Sequence, residues 1–264
     1  MKRSVFASLV LFFLAFVTTA VAGSIANVVA VIGSPTSSGP GGSRTLTAGS
    51  AVFENDKITV ASSGNVQILF TDGTKLVVGP NSSLLISKYL MRGGSNTVQN
   101  FSIKALRGTF RFITGKSPKS AYDIQTANAT IGIRGTGFDF WVGGATGVAV
   151  LNGKVRLCDN TKNKKSCVNL NPTCEVGTTE NANAKKFNGE LQGRRLLNHL
   201  PYILNQASLN QGFWLNTSSC RAAIAATDSQ QKSYPTETVS NGNPRPPPPP
   251  PDEPGCIPMY DVAC

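Results

Sequence analysis

The segment Val66-Gln67-Ile68-Leu69-Phe70-Thr71-Asp72-Gly73-Thr74-Lys75-Leu76-Val77-Val78 holds two short apolar runs around a turn. Valine, isoleucine and phenylalanine suit a pleated strand. Asp72-Gly73 permits a tight reversal, because glycine has no Cβ to clash and aspartate tolerates the left-handed region. The segment predicts a β-hairpin. Val148-Ala149-Val150-Leu151, Asn152-Gly153 and Lys154-Val155-Arg156-Leu157 repeat the pattern and predict a second one. Further strands are expected over Val28 to Ile32, Lys57 to Ala61, Leu84 to Tyr89, Val98 to Lys104, Thr109 to Thr114, Ala121 to Thr126 and Gly137 to Val142. About ten short strands at close intervals describe an all-β domain over residues 23–157, a short-stranded sheet or a solenoid-like array.

Composition agrees with this. Of 264 residues only 15% are charged and 40% are hydrophobic, which argues against disorder and against a helical bundle. Lys2-Arg3, the apolar run Val5 to Val17 and the small residues Ala20-Val21-Ala22 have the order of a cleavable signal peptide. The run is shorter than the ~20 residues that span a bilayer, so residues 1–22 are expected to be removed. The mature chain then has no transmembrane helix and belongs outside the cytoplasm, periplasmic or secreted. Cys158, Cys167, Cys174, Cys220, Cys256 and Cys264 fit that compartment, since an even number in an exported chain predicts disulfides. No Cys-x-x-Cys pair occurs and His199 stands apart from them, so zinc is not indicated. Cys256 with Cys264 would close a short C-terminal loop, and the other four would staple residues 158–220.

Residues 158–242 change character. Asn, Lys and Thr dominate up to Lys186, after which leucines at helical spacing predict helices over Glu190 to Leu209 and Ser218 to Ala226, with Pro201 starting or bending one. Residues 243–264 form a Pro-rich tail. Its run Pro246 to Pro251 predicts an extended polyproline II rod, a stiff spacer or a ligand for an aromatic-lined groove.

Enzyme signatures fail on spacing. Gly115-Lys116-Ser117 ends like a phosphate loop, but Phe110 stands where the first glycine is required; Gly135-x-Gly137 begins like a dinucleotide fingerprint, but Phe140 takes the third glycine's place. His199 has no nucleophile and orienting group at matching spacing. Glu54, Asp56, Asp72, Asp123 and Asp139 are the carboxylates of residues 23–157 and read as caps and turn formers; Asp123 with Asp139 is the pair a glycosidase would need. No catalytic residue, metal ligand or cofactor is assigned. The same stretch carries 13 Lys and Arg against five acidic residues, a net charge of +8. Such a surface suits an anionic glycan, lipid headgroups or an acidic protein face, whereas nucleic acid would call for a stripe of stacking aromatics. Lys104, Arg107 and Arg111 form the candidate basic face.

Asn128-Ala129-Thr130-Ile131-Gly132-Ile133-Arg134-Gly135-Thr136-Gly137-Phe138, followed by the Val148 to Val155 stretch, resembles the signature of the FecR domain. Upstream the match continues in order with Gly33, Asp56-Lys57-Ile58-Thr59, Phe70-x-Asp72-Gly73-x-x-Leu76, Pro80-Asn81-Ser82-Ser83-Leu84 and Leu106-Arg107-Gly108. The resemblance implies a non-enzymatic, extracytoplasmic module. Its best-known members are inner-membrane sigma-factor regulators that relay a signal from an outer-membrane iron-siderophore transporter. With only a signal peptide ahead of the β domain, this chain resembles a solitary, exported member, a binding or signalling module whose partner is an envelope protein. The alternative is a structural or adhesive protein that binds anionic glycan. The motif residues are Asp72, Gly73, Arg134, Gly135, Thr136, Phe138 and Gly153. Arg134 is expected to hold the fold by laying its guanidinium on backbone carbonyls or on a carboxylate such as Asp139. Alternation places Phe138 and Phe140 on one strand face and Trp141 on the other.

Overall fold

The computed structural model describes residues 23–135, 137–161, 166–171, 174–187 and 197–222. Among them the strands are β1 (Ala26–Ile32), β2 (Thr36–Gly39), β3 (Gly42–Thr45), β4 (Ala51–Val52), β5 (Lys57–Thr59), β6 (Asn65–Phe70), β7 (Lys75–Val78), β8 (Ser83–Met91) and β9 (Val98–Ile113). They continue as β10 (Tyr122–Gln125), β11 (Ala129–Ile133), β12 (Gly137–Val142), β13 (Thr146–Asn152), β14 (Val155–Asp159), β15 (Cys167–Leu170), β16 (Glu175–Glu180) and β17 (Asn183–Lys186). The expected hairpin at Asp72-Gly73 is β6–β7, with Leu69 opposite Lys75.

The strands make two layers. The first runs β4-β1-β6-β7-β9-β12-β13-β16-β17 and is antiparallel throughout. The second runs β3-β2-β5-β8-β9-β10-β11-β14-β15, with β9–β10 its parallel pair. β9 belongs to both, so the segments expected as separate strands at Val98 to Lys104 and Thr109 to Thr114 are one strand that changes layer at Gly108. Only glycine serves there: φ is +100°, and a Cβ would lie 2.1 Å from Ser82 Oγ and 2.4 Å from Ser82 Cα.

Asn152-Gly153 is not a hairpin. β13 pairs with β12 and β16 in the first layer, whereas β14 pairs with β11 and β15 in the second, so the turn carries the chain from one layer to the other. The composition shift at Cys158 does not end the sheets either, for β15, β16 and β17 extend both layers as far as Lys186.

Alternation along the strands fills the space between the layers. Phe70, Phe101, Phe110, Phe112, Phe138 and Phe140 are all buried there, with the Phe70 and Phe101 rings 4.6 Å apart across the interior. Such ring pairs add about 0.5–1.5 kcal/mol beyond the area they bury. One carboxylate sits among them. Asp72 accepts hydrogen bonds from Ser117 Oγ (2.7 Å), Tyr122 Oη (2.8 Å), Thr74 Oγ1 (2.9 Å) and Thr74 N (3.0 Å), so it does more than shape the turn. Tyr89 adds a longer contact at 3.3 Å. Burial, with the neighbouring Asp72 carboxylate adding to it, pushes the Tyr89 and Tyr122 phenols upward.

Residues 197–222 cross the outside of the first layer as a strap. Leu197, Leu200 and Ile203 pack with Ala149 and Val176, while Tyr202, Leu209 and Phe213 pack with Val77. Helix is sparser here than the leucine spacing predicts. Pro201 does open a helix, α1 (Pro201–Leu204), but residues 205–210 leave it, and a 3₁₀ turn follows at Gln211–Phe213. The reason is local, since Asn205 Oδ1 accepts a hydrogen bond from Ala207 N, which competes with helical pairing, while Asn210 in the same way caps the 3₁₀ turn. Residues 218–222 are helical as expected. The rest of these expected helices, residues 190–196 and 223–226, lies outside the described residues.

Four cysteines form the expected staples. Cys158–Cys167 links directly opposed residues of β14 and β15, and Cys174–Cys220 ties the end of the strap to the residue before β16. The proposed Cys256–Cys264 pair, the signal peptide and the Pro-rich tail lie outside the described residues. No helix among the described residues is long and apolar enough to cross a membrane.

Candidate functional site

The motif residues gather at a corner between the layers. Arg134-Gly135 passes from β11 in the second layer toward β12 in the first, and Asn152-Gly153-Lys154 makes the reverse crossing beside it. The two backbones touch. Arg134 N donates to Lys154 O at 2.8 Å, and a Cβ on Gly135 would sit 2.2 Å from Lys154 N and 2.3 Å from Gly153 Cα. Thr114 Oγ1 closes the corner by donating to Gly135 O at 3.2 Å. Phe138 and Phe140 point into the core while Trp141 lies on the opposite strand face, half-buried and stacked on His199 at 4.3 Å. Thr136 lies outside the described residues. The Arg134 side chain is exposed and does not reach Asp139, so the fold-holding role expected of it belongs to another arginine.

That arginine is Arg111, which corrects the candidate basic face. Arg111 lies past the Gly108 bend, on the outer face of the first layer, and the strap buries it completely. Directly across the strand pair it meets Asp139, with Nε 2.7 Å from Oδ1 and Nη2 2.8 Å from Oδ2. Its remaining donors reach the strap: Nη2 bonds Tyr202 O at 3.1 Å, and Nη1 bonds Phe213 O at 3.3 Å and Gln206 Oε1. All five guanidinium N–H groups thus have acceptors. Burial pushes the Asp139 carboxyl up and Arg111 draws it back, with burial the larger effect. Gln67 fastens the strap further along, accepting from Asn210 N at 2.7 Å and donating to Ser208 O at 3.2 Å.

Lys104 and Arg107 remain on a basic surface, the outer face of the second layer. Lys57, Leu85, Lys104, Gln125 and Thr130 stand in register across β5, β8, β9, β10 and β11, and a second row passes through Ser102, Asp123, Gly132, Arg156 and Asn169. Their neighbours Ile58, Leu84, Ile103, Ile124, Ile131 and Leu157 are buried, so these rows face outward. Lys57, Lys104, Arg107 and Arg156 are exposed, and Leu106 is 47% exposed beside Arg107. Lys57 and Lys104 are two strand spacings apart, about 10 Å. None of the described segments covers this face. The sequence reading missed Lys57 and Arg156, although the alternation in Lys57-Ile58-Thr59 and Val155-Arg156-Leu157 places both outward.

The carboxylates do not assemble a reactive pair. Asp123 lies on the outer face of the second layer, where it accepts from Gln125 Nε2 at 2.6 Å, while Asp139 lies beneath the strap on the far side of the first. Asp56 is taken by Arg44, whose Nη2 is 2.5 Å from Oδ2. Among the described residues no group of three His, Cys, Asp or Glu side chains is placed to hold a metal.

Residues 56–156 match the family model described as FecR protein, a span from the entry to β5 into β14 that includes the corner. Two crystal structures of a candidate anti-sigma factor from Parabacteroides distasonis ATCC 8503, at 2.50 and 1.65 Å, are similar over 52% of this chain at 20% identity, with TM-scores of 0.40 and 0.39. The similarity covers 61% of those chains, less than two thirds of their length. No curated protein matches the chain significantly.

Proposed function

From a FecR domain over residues 56–156, we propose that this chain is a non-enzymatic binding or signalling module of the cell envelope that holds a partner protein on the outer face of its second layer. The asymmetry of the two outer faces carries this reading. The chain's own strap crosses the first layer's face and buries Arg111 with every donor used internally, leaving Leu69 39% exposed beside it. The second layer's face is uncovered by any described segment, cationic at Lys57, Lys104, Arg107 and Arg156, and carries an exposed leucine. A positive face of this kind speeds encounter with an acidic protein surface and fixes its orientation. The two disulfides suit an oxidising compartment, periplasmic or extracellular.

The test is affinity capture from envelope extract with the wild-type protein and with a Lys104→Glu/Arg107→Glu variant. Both side chains are exposed, so the variant should stay within about 0.5 kcal/mol of wild-type stability while losing the captured protein. Recovery of the same envelope protein by both forms refutes the surface assigned. A second reading rests on the spacing of Lys57 and Lys104, which suits repeating charges along an anionic glycan. It requires retention on such a glycan that weakens with added salt.

A further inference from the structure

The outward side of the strap holds a cleft of about 420 Å³. Leu204 and Trp214, 48% and 47% exposed, form its apolar surface, and Asn205, Asn216 and Arg221 stand around it. Its polar groups are lopsided. Asn205 Oδ1 accepts from Ala207 N and Asn216 Oδ1 accepts from Ser218 N, while their amide nitrogens have no hydrogen-bond partner among the described residues. Trp214 Nε1 is tied to Leu209 O at 2.9 Å, which fixes the indole as a platform. Arg221 makes no ion pair among the described residues and adds a cation. The cleft therefore offers an aromatic plate, amide donors and positive charge.

A polyproline II segment is the complement of such a surface. Proline has no N–H, so the segment is a pure acceptor with an apolar flank, and its rod shape loses little entropy on docking. The chain carries a run of the composition that favours this conformation, Pro246 to Pro251. We propose that the cleft is the docking site of this chain's own tail, with the rings of Pro246 to Pro251 on Trp214 and Leu204 and the following Asp252-Glu253 toward Arg221. Twenty-three residues lie between Ala222 and Pro246, enough to span about 25 Å even as a random coil. Arg221 lines the cleft itself, so the connection leaves from its rim. A tether of this kind gives an effective concentration on the order of 1 mM, so a segment with millimolar intrinsic affinity would be docked about half the time.

The test reads the indole N–H resonances of the two tryptophans in ¹⁵N-labelled full chain under oxidising conditions. Replacing Pro247, Pro248, Pro249 and Pro250 together by serine should shift the Trp214 resonance and leave that of Trp141 in place. A synthetic peptide of residues 244–254 added to this variant should return it toward the wild-type position, and Arg221→Glu should weaken that titration several-fold with both tryptophans intact. Three outcomes overturn the proposal: identical Trp214 resonances in the two chains, a peptide response indifferent to Arg221→Glu, or a wild-type resonance that moves on dilution, which assigns the cleft to the tail of a second copy.

Discussion

Arg111→Met isolates the contact that seats the strap. The change removes five donors and leaves Asp139, 1% exposed, as a buried carboxylate without its cation. Breaking a buried ion pair from one side costs about 3–5 kcal/mol, most of it the desolvation of the abandoned partner. For a chain of this size 1 kcal/mol moves Tm by about 2–4 °C, so the midpoint should fall by roughly 6–20 °C. Removing both charges, as Arg111→Met/Asp139→Leu, abolishes the stranded carboxylate and should recover part of the loss. Recovery stays incomplete, because the Tyr202 and Phe213 carbonyls lose their donors. The assays are thermal unfolding for the midpoint and equilibrium urea unfolding for the free energies, with disulfides intact, followed by circular dichroism and tryptophan fluorescence and arranged as a double-mutant cycle. A single variant that loses less than about 1 kcal/mol, or a double variant equal to the sum of the singles, refutes the account of a coupled, buried pair. The pH dependence has a definite sign. The folded state holds the Asp139 proton to higher pH than the unfolded chain does, so stability falls as pH rises between the two values, and Asp139→Asn flattens that part of the profile.

Gly135→Ala should cost more than about 2 kcal/mol, since its Cβ would meet the Gly153-Lys154 backbone at 2.2–2.3 Å and neither crossing can yield; thermal denaturation showing a near-neutral change contradicts the corner. Cys174→Ser/Cys220→Ser opens a 46-residue separation and Cys158→Ser/Cys167→Ser one of nine, for which loop entropy gives about 4 and about 2.5 kcal/mol. Urea midpoints should fall in that order, and only the first variant should expose the strap to proteolysis. Burial raises the phenols of Tyr89, Tyr122 and Tyr202. Their contribution is therefore complete below the ordinary tyrosine value near pH 10 and is lost as pH rises beyond it. Tyrosinate absorbance from these three should appear together with unfolding, and their titration near pH 10 in a folded chain contradicts the burial.

The strands were legible because alternation and turn chemistry are local. Gly137–Val142 matches the expected strand from end to end, and the Val66 to Val78 hairpin forms as read. Asn152-Gly153 shows the limit. It supplies a turn, but whether the chain re-pairs with the strand just left or crosses to the other layer depends on which edges are free, and those belong to β11 and β15. Arg111 shows a second limit. It stands seven residues beyond Lys104 in one strand, and what separates them is the bend at Gly108 together with a strap that arrives some ninety residues later in the chain. Burial by a sequence-distant segment leaves no trace in the spacing of a strand. The Asp72 network is similar, since its donors Tyr89, Ser117 and Tyr122 come from three separate places along the chain.

β9 also decides how the molecule responds to load. Its N-terminal half is bonded between β8 and β10, and its C-terminal half between β7 and β12. Neither layer can peel away without dismantling the strand that seats the other, so the two open as one cooperative unit. Amide exchange at Phe101 and Phe112, on either side of the bend, should report a single opening free energy. A pull on the second layer's outer face then reaches the strap on the first through one covalent strand, with no hinge between them to absorb it.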